Sequence, residues 1–388
     1  MIHITDKKNC CGCHACFNAC PTDAIVMQED SEGFLYPHVI QEKCINCGLC
    51  ERVCPELSPQ PIADVETKVY ASYRSNMDKR LHSQSGGIFA LLAEYVLEIG
   101  GVVFGAAFDD TWELKHKSVD NEQDLCKLLG SKYVQSNIGS AFYKAEEFLK
   151  SGIEVLFSGT PCQIQGLNKY LKKPYDNLIT VDLICHGVPS PKVWQRFLKE
   201  FSLGDSLISF VQKDKEKKNA SVYTFKNRGV IVSEYDKNPF IKGFNKNLYL
   251  RPSCYQCAFK GVERCSDITL GDFWGLENYY PKFGDRYGIS AIIIHTQKGK
   301  KLFEEIKSEI AYIECDAEML TPGNPCLITS SPFNEKRTFF FQNWNNKGTI
   351  KTINSLTKLT FSQSVRKLVN QINWYARAVV NKVKKKKS

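Results

Sequence analysis

The sequence predicts an α+β and α/β chain in three parts: a small cysteine-dense module, a larger mixed-sheet α/β domain covered by helices, and a basic C-terminal helix. Three observations carry this. Cysteines crowd the first 57 residues in two similar runs. From about Val69, short apolar strand segments alternate with helical ones. From Asn346 to Ser388 there are eleven Lys and Arg and no Asp or Glu, although the net charge of the whole chain is only +9. The expected divisions are 1–57, a linker at 58–68, a main domain at 69–345 and a tail at 346–388.

Composition narrows the function classes. The chain has 388 residues, 43% hydrophobic and 24% charged, as soluble globular proteins do. No apolar run reaches the ~20 residues that a membrane span needs. The N-terminus, MIHITDKKNCCGC, shows no apolar signal core. The expectation is a cytoplasmic protein, where seventeen cysteines read as metal ligands rather than disulfides. The basic surplus sits in the tail, so nucleic-acid binding is not expected of the whole chain.

The elements follow in order. Glu56 to Pro61 is rich in Pro and polar residues and reads as linker. Ser85 to Ile99 has helical periodicity and stops at Gly100-Gly101. Val102 to Phe108 reads as a strand, and Ser140 to Lys150 as a helix. Ile153 to Phe157 is an apolar strand running into Ser158-Gly159-Thr160-Pro161-Cys162. Leu178 to Ile184 is another, running into Cys185-His186-Gly187, and Pro191 to Phe201 reads as a helix. Beyond Leu203 the pattern is less regular, and Lys213 to Asn219 reads as a solvated loop.

The cysteine runs are specific. Cys10-x2-Cys13-x2-Cys16-x3-Cys20-Pro21 is repeated as Cys44-x2-Cys47-x2-Cys50-x3-Cys54-Pro55. This is the spacing of two-cluster bacterial ferredoxins. Three thiolates wrap one face of a [4Fe–4S] cubane, and the fourth, before Pro, reaches the other cluster. One cluster is therefore assigned to Cys10, Cys13, Cys16 and Cys54, the other to Cys44, Cys47, Cys50 and Cys20. Zinc sites pair cysteines two by two and do not need the x3-Cys-Pro ending twice. Cys11 falls outside the spacing and reads as a spare thiol.

In the main domain, Ser85-Gly86-Gly87 opens a helix, where free N–H groups and the helix dipole favour an anion; a plain Gly-rich turn is the alternative reading. Further on come Gly130-Ser131-Lys132-Tyr133-Val134, Ser158-Gly159-Thr160-Pro161-Cys162-Gln163, Leu183-Ile184-Cys185-His186-Gly187-Val188-Pro189-Ser190, Arg251-Pro252-Ser253-Cys254-x2-Cys257 and Ser266 to Gly275. This ordered set resembles the family of beta subunits of coenzyme F-420 (deazaflavin) hydrogenases and dehydrogenases, over roughly Val69 to Pro325. The resemblance implies a third [4Fe–4S] cluster, with Cys162, Cys185, Cys254 and Cys257 as its ligands, the alternative being four buried structural thiols; Cys265, eight residues after Cys257 in the same irregular stretch, is a rival for one place. It also implies a noncovalent FAD. Ser85, Gly86 and Gly87 would cradle its pyrophosphate, and Ser131, Lys132 and Tyr133 would supply a hydroxyl, a cation and a ring. Lys132 reads equally as a surface lysine. His186 is either a proton relay or a hydrogen-bonded neighbour of a ligand, and Asp272 either orients the cofactors or stabilises a turn. Cys126, Cys315 and Cys326 read as ordinary thiols.

The resemblance implies an iron–sulfur flavoprotein oxidoreductase working between a ferredoxin-type donor and a substrate, with a setting in surface-polysaccharide metabolism. The second reading is a non-catalytic electron carrier that feeds a redox partner protein. In the tail, Val365, Leu368, Val369, Ile372, Ala376, Val379 and Val383 share one helical face, and Lys384 to Lys387 close the chain. That face suits peripheral contact with the inner membrane leaflet or packing on the domain.

Overall fold

The computed structural model describes residues 1–58 and 67–358. Most of the expected linker, and the tail positions from Val365 onward, lie outside the described residues.

In the cysteine-dense part, each run curls and ends in one helical turn, Ala15–Asn18 and Leu49–Arg52. The backbone repeats as the sequence does. Gly12 and its counterpart Asn46 have φ of 71° and 53°, and His14 and Gly48 have 62° and 69°. Left-handed residues at these two places turn the chain tightly enough for three cysteines to face one point. An antiparallel hairpin, β1 (Ile25–Glu29) and β2 (Leu35–Val39), joins the runs, with Ile25 opposite Val39.

The main sheet takes its strands from the whole domain. They are β3 (Lys68–Arg74), β4 (Val102–Phe108), β5 (Leu114–Val119), β6 (Val155–Gly159) and β7 (Leu178–Leu183). A separate antiparallel sheet of β8 (Leu207–Asp214), β9 (Ala220–Phe225) and β10 (Gly229–Ser233) intervenes. β11 (Ile268–Asp272), β12 (Ser290–Ile294) and β13 (Ile310–Cys315) then return to the main sheet. Its order is β13-β3-β12-β11-β7-β6-β4-β5. The β4/β6, β6/β7 and β7/β11 pairs are parallel, and the flanking pairs antiparallel. The sheet is thus mixed, as expected.

Successive residues of the central strands feed opposite faces. Val103 and Leu156 pack with Leu91, Leu92 and Val96 of the helix Ile88–Glu98. Their neighbours Phe104 and Phe157 pack with Phe142 of the helix Ala141–Lys150 and with Ile164 and Leu167 of the helix Pro161–Leu171. Each such fully buried side chain contributes about 1.5–3 kcal/mol. The second core also contains Cys11, Cys13, Ala15 and Val53. The cysteine-rich part is therefore packed into the main domain.

Two expectations change. The helix anticipated from Ser85 starts at Ile88, because Gly87 takes φ 84° and ends the preceding turn. The irregular region after Leu203 is the β8–β10 sheet, and the Lys213–Asn219 run is the end of β8 with its hairpin turn. The helix Lys336–Lys347 runs across residue 345, and its Trp344 shares a buried cluster with Trp194, Phe197 and Tyr223. Among the described residues no helix is long and apolar enough to cross a membrane.

Candidate iron–sulfur centres

Three hollows each bring together four of the cysteines that the sequence groups as ligands, and Cys11 borders two of them besides. The outermost lies between Cys20, Cys44, Cys47 and Cys50. The inner one lies between Cys10, Cys13, Cys16 and Cys54. The third lies in the main domain, between Cys162, Cys185, Cys254 and Cys257. In the first two, the cysteine before Pro leaves its own run and joins the other, the exchange that the spacing implies.

The β6/β7 pairing builds half of the third site. These strands are parallel neighbours, so their C-terminal ends lie side by side, where open α/β sheets place their sites. Cys162 follows β6 in the first turn of the helix Pro161–Leu171. The Thr160 N–H donates to Gln163 Oε1 at 2.9 Å, and Thr160 Oγ1 lies 3.2 Å from Cys162 Sγ. Cys185 follows β7. The other half is the short turn Pro252–Gln256 and Cys257. The Arg251 N–H donates to Val188 O at 2.9 Å, and the Val188 N–H donates to Cys254 Sγ at 3.4 Å. Lys260 donates to the carbonyls of Cys185 at 2.5 Å and Cys326 at 2.6 Å. Burial pushes the Cys185 thiol up to about 11 and the Cys254 thiol higher still.

These donor sets fit [4Fe–4S] clusters. Each hollow offers four candidate ligand thiols and N–H groups aimed at sulfur: Ile2 to Cys50 at 3.3 Å and Ala24 to Cys20 at 3.2 Å in the outer one, the Arg251 side chain to Cys10 at 3.4 Å in the inner one, and Val188 to Cys254 in the third. Among the described residues, no three His, Cys, Asp or Glu side chains converge as a single metal ion would need. Cys265 does not line the third hollow. Its carbonyl accepts from Asn168 Nδ2 at 3.1 Å, and burial lifts its thiol to about 12.

Cys11, the spare thiol of the sequence, stands between two sites. It is buried and borders both the inner and the third hollow, as does Glu56. Its sulfur is in hydrogen-bonding reach of Cys13, Cys162 and the Glu56 carboxylate. Its counterpart in the second repeat is Ile45, which is 64% exposed beside the outer site. The same position of the repeat thus faces solvent at one end and the main domain at the other.

The residues named for a flavin do not form an open cradle. The Gly86 N–H donates to Ser290 Oγ at 2.9 Å, and the Gly87 N–H to Gln84 O at 2.9 Å. Ser85 Oγ donates to Ile289 O at 3.0 Å. A side chain at Gly86 would stand 2.4 Å from Ser72 O, so this glycine serves close packing against β3. Lys132 Nζ donates to the carbonyls of Leu128, Leu129 and Gly130, and burial lowers it to about 7. Ser131 precedes it in the same loop, and Tyr133 stacks on Phe244 with centroids 4.9 Å apart. The amides at this turn tie it to β12 and to the preceding turn, the arrangement of a plain Gly-rich turn. His186 borders the third hollow with Nε2 2.7 Å from Asn247 Oδ1, and burial lowers its pKa. Asp272 accepts from Lys213 at 2.9 Å.

Sequence reasoning missed Arg251 and Gln135. Arg251 is 1% exposed. It donates through Nε to Cys10 O at 2.7 Å, and through Nη2 to Leu35 O at 2.9 Å and Cys10 Sγ at 3.4 Å. Its Nη1 donates to Gln135 Oε1 at 3.0 Å, and Gln135 Nε2 donates to Cys11 O at 3.0 Å. The only sequence signal was their place inside the motifs Arg251-Pro252-Ser253-Cys254 and the stretch after Gly130.

Residues 9–57 match the 4Fe-4S dicluster domain family, and residues 153–318 match the family described as the C terminus of the coenzyme F420 hydrogenase/dehydrogenase beta subunit. The chain is 28% identical over 321 residues to a coenzyme F420-dependent sulfite reductase of Methanocaldococcus jannaschii, covering 80% of this chain and 47% of that one. It therefore spans about half of that relative's length. It is 21% identical over 330 residues to the F subunit of the F(420)H(2) dehydrogenase of Methanosarcina mazei, covering 81% and 87%. A solved F420-reducing [NiFe] hydrogenase complex of Methanosarcina barkeri aligns with TM-score 0.44 and 21% identity, over 67% of this chain and 85% of that one.

Proposed function

We propose that this chain, whose residues 153–318 belong to the C-terminal family of F420 hydrogenase/dehydrogenase beta subunits and whose residues 9–57 are a 4Fe–4S dicluster domain, is a three-centre electron relay subunit. The observation that carries this reading is the file of three cysteine-lined hollows, the second and third sharing Cys11 and Glu56 as a wall. Bound clusters supply one-electron transfer. The protein supplies spacing, burial and hydrogen bonds to sulfur. Cys44, Cys47 and Cys50 keep the outer site partly exposed, beside Ile45, and that is where a donor reaches the chain.

The names of the relatives suggest a deazaflavin such as coenzyme F420 as the far redox partner. An FAD on this chain, and a setting in surface-polysaccharide metabolism, rest on resemblance alone. The amides of Gly86 and Gly87 and the ammonium of Lys132 are already hydrogen-bonded, which favours an electron-transfer subunit over a self-contained flavoenzyme. Iron and flavin analysis of anaerobically purified chain tests this: about twelve irons and no stoichiometric flavin are expected. Eight irons would remove the third centre, and one flavin per chain would restore the flavoenzyme reading.

A further inference from the structure

Arg251 is a fully buried cation whose neighbours are sulfur, carbonyl oxygen and aromatic rings. Its guanidinium lies 4.3 Å from the Tyr36 ring centroid and 5.5 Å from that of Phe34. Gly12 leaves it room: a Cβ there would stand 2.6 Å from Nη1. Its own backbone begins the turn that carries Cys254. One residue thus donates to the sulfur and carbonyl of an inner-site ligand and fixes the start of a third-site ligand loop.

Reducing a cluster adds negative charge. A buried site resists that charge, while a nearby cation and N–H···S hydrogen bonds favour it. The outer site has cations too, but they act through water. The Met1 ammonium is paired with Glu51 at 3.0 Å, and Arg52 donates to Cys47 O at 2.9 Å from the surface. A charge enclosed in protein is screened far less than these.

We propose that Arg251 is a positioning residue that sets the reduction potential of the inner site, raising it so that an electron from the outer site comes to rest next to the third site. The step is a one-electron exchange: the outer cluster is oxidised as the inner one is reduced, and no bond breaks. This rests on the three-centre reading above.

The test is a redox titration followed by EPR on the anaerobic full-length chain, comparing wild type, Arg251→Lys and Arg251→Gln. A Cys54→Ser chain identifies the inner signal by its loss. In Arg251→Gln the inner potential should move to more negative values while the other two stay. In Arg251→Lys it should move part of the way, because an ammonium keeps the charge but cannot serve Cys10 O, Cys10 Sγ, Leu35 O and Gln135 together. Raising ionic strength should leave the shift in place. An unmoved inner potential in either variant overturns the proposal, as does an equal shift of all three. If Arg251→Gln does not hold its clusters, Arg251→Lys decides alone. Failure of the three-centre reading looks different: wild type itself would then show only two signals.

Discussion

Gly166 and Cys13 meet so closely that a Cβ on Gly166 would stand 2.7 Å from Cys13 Cβ and 2.9 Å from its sulfur. The contact joins the helix Pro161–Leu171 to the inner cysteine site. It also gives an unusual sign to a common substitution. In a helix interior, Gly→Ala normally stabilises by about 1 kcal/mol. Here the added methyl overpacks a ligand-bearing turn, which costs about 1–3 kcal/mol. Gly166→Ala should therefore lower the melting temperature and reduce iron content, read by thermal denaturation and iron assay. A more stable variant with full iron would mean that the contact relaxes freely.

The ligand set of the third site can be separated residue by residue. Cys185→Ser and Cys254→Ser should each lose about four irons per chain and leave the outer and inner signals in EPR. Cys265→Ser should keep all of its iron, because that thiol stands outside the hollow. Iron loss in Cys265→Ser with retention in Cys185→Ser would reverse the assignment.

A second clamp lies at the hairpin. Arg337 forms a two-pronged ion pair with Glu32, Nη1 to Oε1 at 2.8 Å and Nη2 to Oε2, and it also donates to Leu250 O. Its guanidinium lies 4.8 Å from the Phe341 ring centroid. Arg337→Met leaves the half-buried Glu32 without its partner, and should cost about 2–3 kcal/mol. Limited proteolysis should then release the cysteine-rich part faster than from wild type, while Lys192→Met, which breaks only the exposed pair with Glu29, should change little.

Acid should weaken the fold through buried histidine. Burial holds His116 at about 4, with one ring nitrogen 2.9 Å from Ser158 O. Unfolded, it titrates near about 6.5. Its folded pKa is the lower, so the unfolded state binds the extra proton. Its contribution is full above about pH 6.5 and is lost as pH falls toward 4, about 3 kcal/mol in all. Urea midpoints measured from pH 7 to pH 5 should fall more steeply in wild type than in His116→Gln; parallel slopes would exclude His116 as the cause.

The cysteine spacing made the outer and inner sites legible, because cluster ligation demands three closely spaced thiols and one distant one. The strand Val102–Phe108 was legible in full, since both its faces are buried and its composition is apolar throughout. β8 to β10 were not, because that sheet exposes Ile208, Val211, Val230 and Val232 and so breaks the usual polar-out pattern. At Gly86-Gly87 the surroundings were hidden for a local reason: a helix start shows its amides in sequence, but not the Ser290 hydroxyl, 204 residues away, that takes one of them. Arg251 was illegible for the same reason on a larger scale. Its role comes from Cys10 and Leu35, and nothing around residue 251 names them.

That separation has a consequence for how the chain is made. Cys10 leaves the ribosome 241 residues ahead of the guanidinium that covers it, and Cys11 leaves 124 residues ahead of Gln135. A nascent chain therefore displays the inner thiols bare while most of the protein is still to be translated. The inner site can be sealed only once the polypeptide has grown past residue 251.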